Sequence, residues 1–464
     1  MTSSIEALLP AFLAGQRWYG DKASPIESVG IVDSADVGGI QHLIVEVRSS
    51  AGATSEYYVP LISNDLGEIA DAVHAPAYHD WIASNGRNPT IVEMDHGHLL
   101  WEITKIEGRE SLAIHGPARV LGVEQSNTSV RFGDEAIVKI LRRLQPGVNP
   151  EIELTQFLTE RTSFKNSPAL LGTLTYAPAN GDEVALAVAQ AFVPSISDGW
   201  TAVLASLADF RAAGSDERTV IAAESHDLTR QLGRRTAELH LALASDPSSA
   251  ALAPESISDP DVNLWRMGFA ARLDRVSASL ERYIATDSQT EDLRRVFLES
   301  KSGLVEGIAG FECLRNVAKT RVHGDYHLGQ TLLTHDRDWF VLDFEGEPLR
   351  PLNDRRAKTS PLKDVAGMLR SFSYARGAAE RAGDPSNDVA GLINWERGER
   401  SAFLDGSLSN ARAGGAGFLP TSSEEVRLAI GAWELDKAVY EIDYELNNRP
   451  DWLHLPLSAA LKFV

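Results

Sequence analysis

The 464-residue sequence predicts an α+β fold of two lobes, a smaller sheet-rich one followed by a larger helical one. Three observations predict it. Runs of β-branched and aromatic residues crowd the first 195 residues. Helical periodicity dominates from residue 196 onward. A single loop-and-strand block, residues 321–348, interrupts those helices. The same observations divide the chain into residues 1–110, 111–195 and 196–464.

The N-terminal stretch MTSSIEALLPAFLAGQRWYGDK has no basic leader before its short apolar run and reads as an amphipathic helix rather than a signal peptide. HLIVEVRSS and EYYVPLI are strand-like. In SVRFGDEAIVKIL, strand residues flank Gly133-Asp134, the composition of a tight hairpin turn. NPEIELTQFLTER follows as a helix, with Asn149 at its cap and Pro150 in its first turn. VALAVAQAFV is a buried strand. Beyond residue 195, HDLTRQLGRRTAELHLALAS places Leu228, Leu232, Leu239 and Leu243 at helical spacing, with Asp227 as its cap. SPLKDVAGMLRSFSYARGAAERA and EEVRLAIGAWELDKAVYEIDYELNNR are long helices.

Composition narrows the function. The formal net charge of −21 repels nucleic acid and anionic membrane, and no basic arm offsets it. No apolar run reaches the ~18 residues that span a bilayer. The single Cys313 excludes an internal disulfide framework and a cysteine metal site. Together these features favour the cytoplasm.

The chemistry concentrates in HGDYHLGQTLLTHDRDWFVLDFEGEP, from His323 to Pro348. Asp325 opens a loop, Gln330 follows five residues later, and Asp343 ends an apolar strand. Protein kinases place a catalytic aspartate, an amide metal ligand and a second metal-binding aspartate in this order and at this spacing. Asp325 therefore orients or deprotonates an attacking hydroxyl, and Gln330 and Asp343 are the hard oxygen donors that Mg²⁺ requires. His323 reads as a brace for the loop. His323, His327 and His335 do not make a metallohydrolase, which needs further spaced Asp, Asn and His motifs.

Upstream, Ser126, Asn127, Thr128 and Ser129 enter the hairpin as N–H and O–H donors for phosphate oxygens. Lys139 lies on its second strand. A glutamate of the following helix is its ion-pair partner, Glu153 first and Glu151 second. QAFVPS, with Gln190, Phe192 and Val193, is the hinge whose backbone reads an adenine edge. No G-x-x-x-x-G-K-[ST] occurs, which excludes a Walker A site.

These segments resemble the actinobacterial maltokinases, relatives of the aminoglycoside phosphotransferases. The resemblance runs through QRWYGDK at 16–22, EQSNTSVRFGDEAIVK at 124–139, RRLQPGVNPEIEL at 142–154 and VHGDYHLGQTL at 322–332. It continues in DFEGEPLRPLNDRR at 343–356, SPLKDVAGMLRSFSYA at 360–375 and LDKAVYEIDYELNNRPDWLHLPL at 435–457. It implies a bilobal, protein-kinase-like fold with an N-terminal cap on the ATP-binding lobe. The implied reaction is ATP- and Mg²⁺-dependent phosphorylation of maltose at its anomeric hydroxyl, feeding α-glucan (glycogen) synthesis, with a trehalose-converting enzyme as a possible partner. The sugar side then takes His323, His327 and Glu345, together with Lys437, Tyr440 and Tyr444, whose spacing puts them on one helical face. Two departures, Tyr326 in the loop and Asp443 in EIDYE, point to an alternative. An additional carboxylate near the sugar suits an amino group, so a glucosamine or other aminosugar kinase of the same fold is the second reading. A nucleotide-binding regulator without transfer activity is the third, and the intact set Lys139, Asp325, Gln330 and Asp343 opposes it.

Overall fold

The computed structural model describes residues 5–20, 22, 24–86, 89–104, 106, 114, 116–122, 126–347, 350–382 and 388–464. Asp21, Glu124, Gln125 and Pro348, which belong to the segments quoted above, lie outside the described residues. The chain forms two compact units, Met1–Pro194 with Arg350–Leu352, and Ser195–Leu349 with Asn353–Val464.

The first unit holds two antiparallel sheets. One has the order β1 (Ile26–Val37), β2 (Ile40–Ser49), β3 (Thr54–Ser63) and β4 (Ile69–Asp71). The centre of HLIVEVRSS, Leu43-Ile44-Val45, is apolar at successive positions because both faces of β2 are covered there. Leu43, Val45 and Val47 pack with Leu9 and Leu13 of helix α1 (Leu9–Gly15) and with Trp18 and Tyr19. Ile40 and Ile44 join Tyr58, Tyr78 and Ile82 in a second core, the last two from helix α2 (Pro76–Asn85).

That second core is shared with a seven-stranded sheet. Its strands are β5 (Thr90–Glu93), β6 (Gly97–Ile103), β7 (Ala118–Val120), β8 (Asn127–Phe132), β9 (Ala136–Leu141), β10 (Leu170–Pro178) and β11 (Val184–Ala191), in the order β5-β6-β10-β11-β9-β8-β7. The expected break near residue 110 therefore falls inside this sheet, after its first two strands. Pleating divides the β8–β9 hairpin cleanly. Val130, Phe132, Ala136, Val138 and Ile140 face the core shared with the first sheet. Asn127, Ser129, Lys139 and Leu141 alternate with them and face the opposite side, where helix α3 (Pro150–Arg161) packs. Asn149 Oδ1 caps α3 by accepting from the Glu151 and Ile152 N–H groups.

The second unit is mainly helical. A small sheet, β12 (Ser195–Asp198), β15 (Thr331–Thr334) and β16 (Trp339–Val341), carries the block that interrupts the helices, and β13 (Glu255–Ser256) pairs with β14 (Ala318–Lys319). The main helices are α4 (Gly199–Ala212), α5 (Ser215–Leu243), α6 (Asp259–Arg282), α7 (Ser288–Glu299), α8 (Leu362–Arg381), α9 (Val389–Ala413) and α10 (Ser423–Asn448). Asp227 caps nothing. Helix α5 starts twelve residues earlier, at Ser215, and Asp227 pairs on its surface with Arg230 at 2.6 Å. Among the described residues, no helix is long and apolar enough to cross a membrane.

Candidate active site

In the second unit, Asp325 is presented by a loop that the chain cannot form without glycine. Gly324 has φ +90°, in the left-handed region, and a Cβ there would lie 3.3 Å from the Gly346 Cα. The loop is fixed from below by Asp364 of α8. Its carboxylate accepts from the His323 N–H at 2.8 Å and the Gly324 N–H at 3.0 Å, and from His240 Nε2 of α5 at 3.0 Å. Burial alone would raise the Asp364 pKa; the His240 contact and the backbone N–H groups outweigh it and hold the carboxyl below its usual value. Tyr326 is buried, its hydroxyl 2.9 Å from that of Thr236 on α5.

His323 is turned inward. It is buried, Nε2–H donates to the Leu342 carbonyl at 2.7 Å, and Nδ1 accepts from the Asp325 N–H at 3.3 Å. Both ring nitrogens are spent on holding the loop, so its expected substrate role is corrected to a structural one. His327 Nδ1 accepts from the Gly329 N–H at 3.0 Å, while Nε2 lies 4.0 Å from Asp325 Oδ2.

Gln330 and Asp343 are neighbours. Gln330 Nε2 donates to Asp343 Oδ2 at 3.0 Å, and the Leu342 N–H donates to the Gln330 carbonyl at 2.9 Å. Asp343 has φ +62°, a left-handed backbone that aspartate tolerates better than most residues. With the Gln330 amide turned so that its oxygen faces Asp343, the two side chains offer the hard oxygen donors that a small cation such as Mg²⁺ takes.

Beside Asp325 lies a recess lined by Glu347, Lys363, Trp433, Asp436, Lys437 and Tyr440. Lys437 Nζ is 3.1 Å from Asp325 Oδ1, 4.0 Å from Glu347 Oε1 and 4.7 Å from the Tyr440 ring centre. Burial alone would raise the Asp325 pKa; the ammonium of Lys437 and then His327 outweigh it and hold the carboxyl below its ordinary value. Burial alone would lower the Lys437 pKa, and Asp325, Glu347 and Glu441 together raise it. Enclosed room amounts to about 10 Å³, roughly one water.

Tyr444 is not part of this recess. It is 41% exposed and lies under the Arg449 guanidinium, 5.4 Å from its ring centre. One further turn of α10 carries it away from the Lys437–Tyr440 end. Asp443, the additional carboxylate, is 3.5 Å from Arg275 and likewise does not line the recess. Glu345 sits in the turn after Asp343, its backbone carbonyl accepting from Arg355 at 3.2 Å.

In the first unit, Lys139 Nζ lies 3.2 Å from Glu151 Oε2, the second of the two glutamates expected as its partner. Gln190 joins the pair, its amide donating to Glu151 Oε1 at 3.3 Å. The first turn of α3 points Glu151 at the sheet. Ser129 pairs directly with Lys139 and shares its face. Thr128 does not. It is on the opposite face, and its hydroxyl accepts from Arg142 Nε at 3.0 Å, which corrects its expected role as a side-chain phosphate donor. The Phe192 N–H donates to the Glu135 carbonyl at 2.9 Å and its ring is covered by Arg131 at 3.8 Å, so this N–H is not available to a base. Val193 is buried beside it, and Ser126 is exposed at the hairpin's entry.

Residues 117–382 match the phosphotransferase enzyme family, APH. The chain belongs to that family. It is 28% identical over 341 residues to a glucosamine kinase of Mycolicibacterium smegmatis, a match covering 74% of this chain and 78% of that one. It is 30% identical over 305 residues to a glucosamine kinase of Streptacidiphilus jiangxiensis, spanning 63% of each chain. A solved glucosamine kinase in complex with glucosamine, ADP and inorganic phosphate shares the fold over 100% of this chain and 98% of its own, with a TM-score of 0.72 at 22% identity. The phosphotransferase is thus an enzyme of the aminoglycoside-phosphotransferase-like kinase fold.

Sequence reading of this phosphotransferase missed Asp364, His240, Glu347 and Asp436. Glu347 was legible in principle as the second acid of DFEGEP. Asp364 and His240 carried no local signal, because each reaches the loop from a distant helix.

Proposed function

We propose that this phosphotransferase transfers the terminal phosphoryl group of ATP to a hydroxyl of an aminosugar, with glucosamine as the first acceptor to test. The recess beside Asp325 carries the reading. It offers four carboxylates, Asp325, Glu347, Asp364 and Asp436, against two lysines, Lys363 and Lys437. Asp364 is committed to the loop and Asp436 is 2.6 Å from Arg272, while Asp325 and Glu347 face Lys437 and Lys363, so an acceptor ammonium would compete with those lysines for these two carboxylates. Two relatives named glucosamine kinases support the same acceptor. They favour this reading over maltose, which the motifs alone had suggested.

The geometry supports a role for each group. Lys139, held by Glu151, steadies the non-transferred phosphates, with Asn127 and Ser129 on the same face of the sheet. Asp325 accepts the proton of the attacking hydroxyl. A bond forms from that oxygen to the terminal phosphorus, and the bond from this phosphorus to the bridging oxygen breaks, releasing ADP. Because Lys437 holds the Asp325 pKa down, the carboxylate is a weak base and acts chiefly by orienting the hydroxyl. Gln330 and Asp343 would hold Mg²⁺, which supplies charge neutralisation on the phosphates.

One observation favours the neutral disaccharide as a second reading. The Lys437 ammonium already occupies the space between Asp325 and Glu347 and would repel a second cation. The test is a panel of glucosamine, glucose, maltose and an aminoglycoside with ATP and Mg²⁺, followed by coupled ADP release and by mass of the product. Glucosamine is expected to give the highest kcat/KM. Turnover of maltose without glucosamine would overturn the reading.

A further inference from the structure

On its rear face the β8–β9 hairpin shares a core with the N-terminal sheet, and the Arg142 side chain adds a polar link between them. The chain leaving β9 runs along β3, where the Tyr58 N–H donates to the Arg142 carbonyl at 2.8 Å and the Leu144 N–H to the Glu56 carbonyl at 2.9 Å. Between these backbone contacts the Arg142 side chain is fully buried. Nε donates to Thr128 Oγ1 at 3.0 Å and Nη2 to Asp71 Oδ2 at 2.7 Å, while the guanidinium lies 4.7 Å from the Trp18 ring centre. Trp18 Nε1 in turn donates to the same Asp71 oxygen at 3.2 Å.

Each partner comes from a different element. Trp18 follows α1, Asp71 ends β4, and Thr128 is the second residue of β8. Planar guanidinium geometry fixes the angle between two such bonds, which an ammonium on a flexible stem does not do. Thr128 lies one residue from Ser129, and Ser129 sits opposite Lys139 in the ladder. A shift of Thr128 along the strand moves the Ser129 N–H and hydroxyl relative to Lys139, because both belong to one pleated backbone.

We propose that Arg142 is a positioning residue for the nucleotide. By clamping Thr128 to Asp71 and Trp18, it makes the N-terminal sheet set the place of the phosphate-facing hairpin. The assignment gives the N-terminal segment a catalytic consequence without any contact to substrate. It rests on the reading that Lys139 and this hairpin hold the phosphates of ATP.

The test uses the full chain and three variants. Thr128→Val keeps shape and removes the acceptor of Arg142 Nε. Arg142→Lys keeps the charge beside Asp71 and removes the fork. Lys139→Met reports whether the hairpin holds ATP at all. For the first two, KM for ATP is expected to rise about tenfold, the scale of one lost hydrogen bond to a charged group. The acceptor KM and kcat should stay within about twofold, since neither variant touches the second unit. Amide hydrogen exchange in β8 should quicken in both.

If Thr128→Val and Arg142→Lys leave KM for ATP unchanged while Lys139→Met raises it, the hairpin holds the nucleotide and Arg142 does not position it. The proposal then fails alone. If Lys139→Met also leaves KM for ATP unchanged, the nucleotide reading fails and takes the proposal with it. Loss of thermal stability with an unaltered KM for ATP would reduce Arg142 to a packing role and overturn the proposal equally.

Discussion

In the proposed mechanism the chemistry turns on the contact between Asp325 and Lys437, which are 3.1 Å apart, and their charges would set how the site responds to pH. Asp325→Asn removes the group that orients the hydroxyl while leaving the Gln330–Asp343 pair untouched. Turnover is expected to fall by about 10²–10⁴-fold, the usual worth of a positioned acid–base group, with ATP binding preserved by calorimetry. Near-normal turnover would remove Asp325 from the mechanism. Lys437 holds the Asp325 pKa below the ordinary carboxyl range, so the acidic limb of kcat/KM lies below that range too. Lys437→Met should move that limb to higher pH; an unmoved limb would show that another group controls it. At this scale the sequence was informative where roles are separated by fixed short spacings. Asp325, Gln330 and Asp343 are read from one segment because the loop and the strand after it set their distance. It was uninformative about facing. Thr128 and Ser129 are adjacent, yet a pleated strand turns one toward Arg142 and the other toward Lys139. His323 reads as a brace in the sequence, and its two backbone partners hold the loop in that way.

The elements that matter most to the site are α5 and α8, which hold the catalytic loop from beneath. Helix α5 contributes Thr236 to Tyr326 and His240 to Asp364, and it also pins the β15–β16 turn, with Arg235 donating to Asp338 at 2.6 Å. Helix α8 contributes Asp364, and it comes so close to the loop that a Cβ on Gly367 would meet the Tyr326 carbonyl at 2.6 Å. Asp364→Ala therefore leaves two backbone N–H groups and the His240 ring without their acceptor. A cost of about 3–5 kcal/mol is expected, as for breaking a buried charged pair, read as a lower urea midpoint. In the fraction that remains folded, kcat should fall while KM for ATP holds, because the loop and not the hairpin has lost its support. An unchanged kcat in folded protein would show that the loop keeps its place without Asp364. Element boundaries followed local signals closely where caps exist. Asn149 and Pro150 start α3, and Ser422 with Glu425 starts α10 as a capping box. Asp227 misled because a good capping residue also sits comfortably on an exposed helical surface, and the preceding residues continue the helix upstream. The seven-stranded sheet could not be bounded from sequence, since β6 pairs with β10 some seventy residues later.

Across the whole molecule, a net charge of −21 leaves carboxylates in places where water does not reach. Most are paired with arginine, as Glu441 is with Arg370 at 2.7 Å and Glu434 with Arg400 at 2.8 Å. Glu399 is different. It is fully buried on α9, and its nearest ionisable neighbour is His226 of α5, whose Nε2 is 3.7 Å away. Burial pushes the Glu399 carboxyl up from 4.5 to about 7, with the Ser225 and Thr229 hydroxyls opposing. Burial also holds His226 below its usual value, helped by Arg230 and opposed by Asp227, so His226 is neutral when Glu399 ionises and does not compensate it. The sign follows from linkage. Between the unfolded and folded values the folded protein holds a proton that the unfolded chain has lost. The stabilising contribution is complete below the unfolded value of 4.5 and disappears as pH rises through about 7. A shift of this size corresponds to about 3 kcal/mol. Glu399→Gln removes the titration and keeps the volume. Relative to the native chain, the variant should gain stability between pH 5 and pH 8 by about that amount, measured by urea unfolding at both values. Parallel pH profiles for the two proteins would mean that Glu399 is ionised throughout, and that α5 and α9 tolerate a buried charge between them.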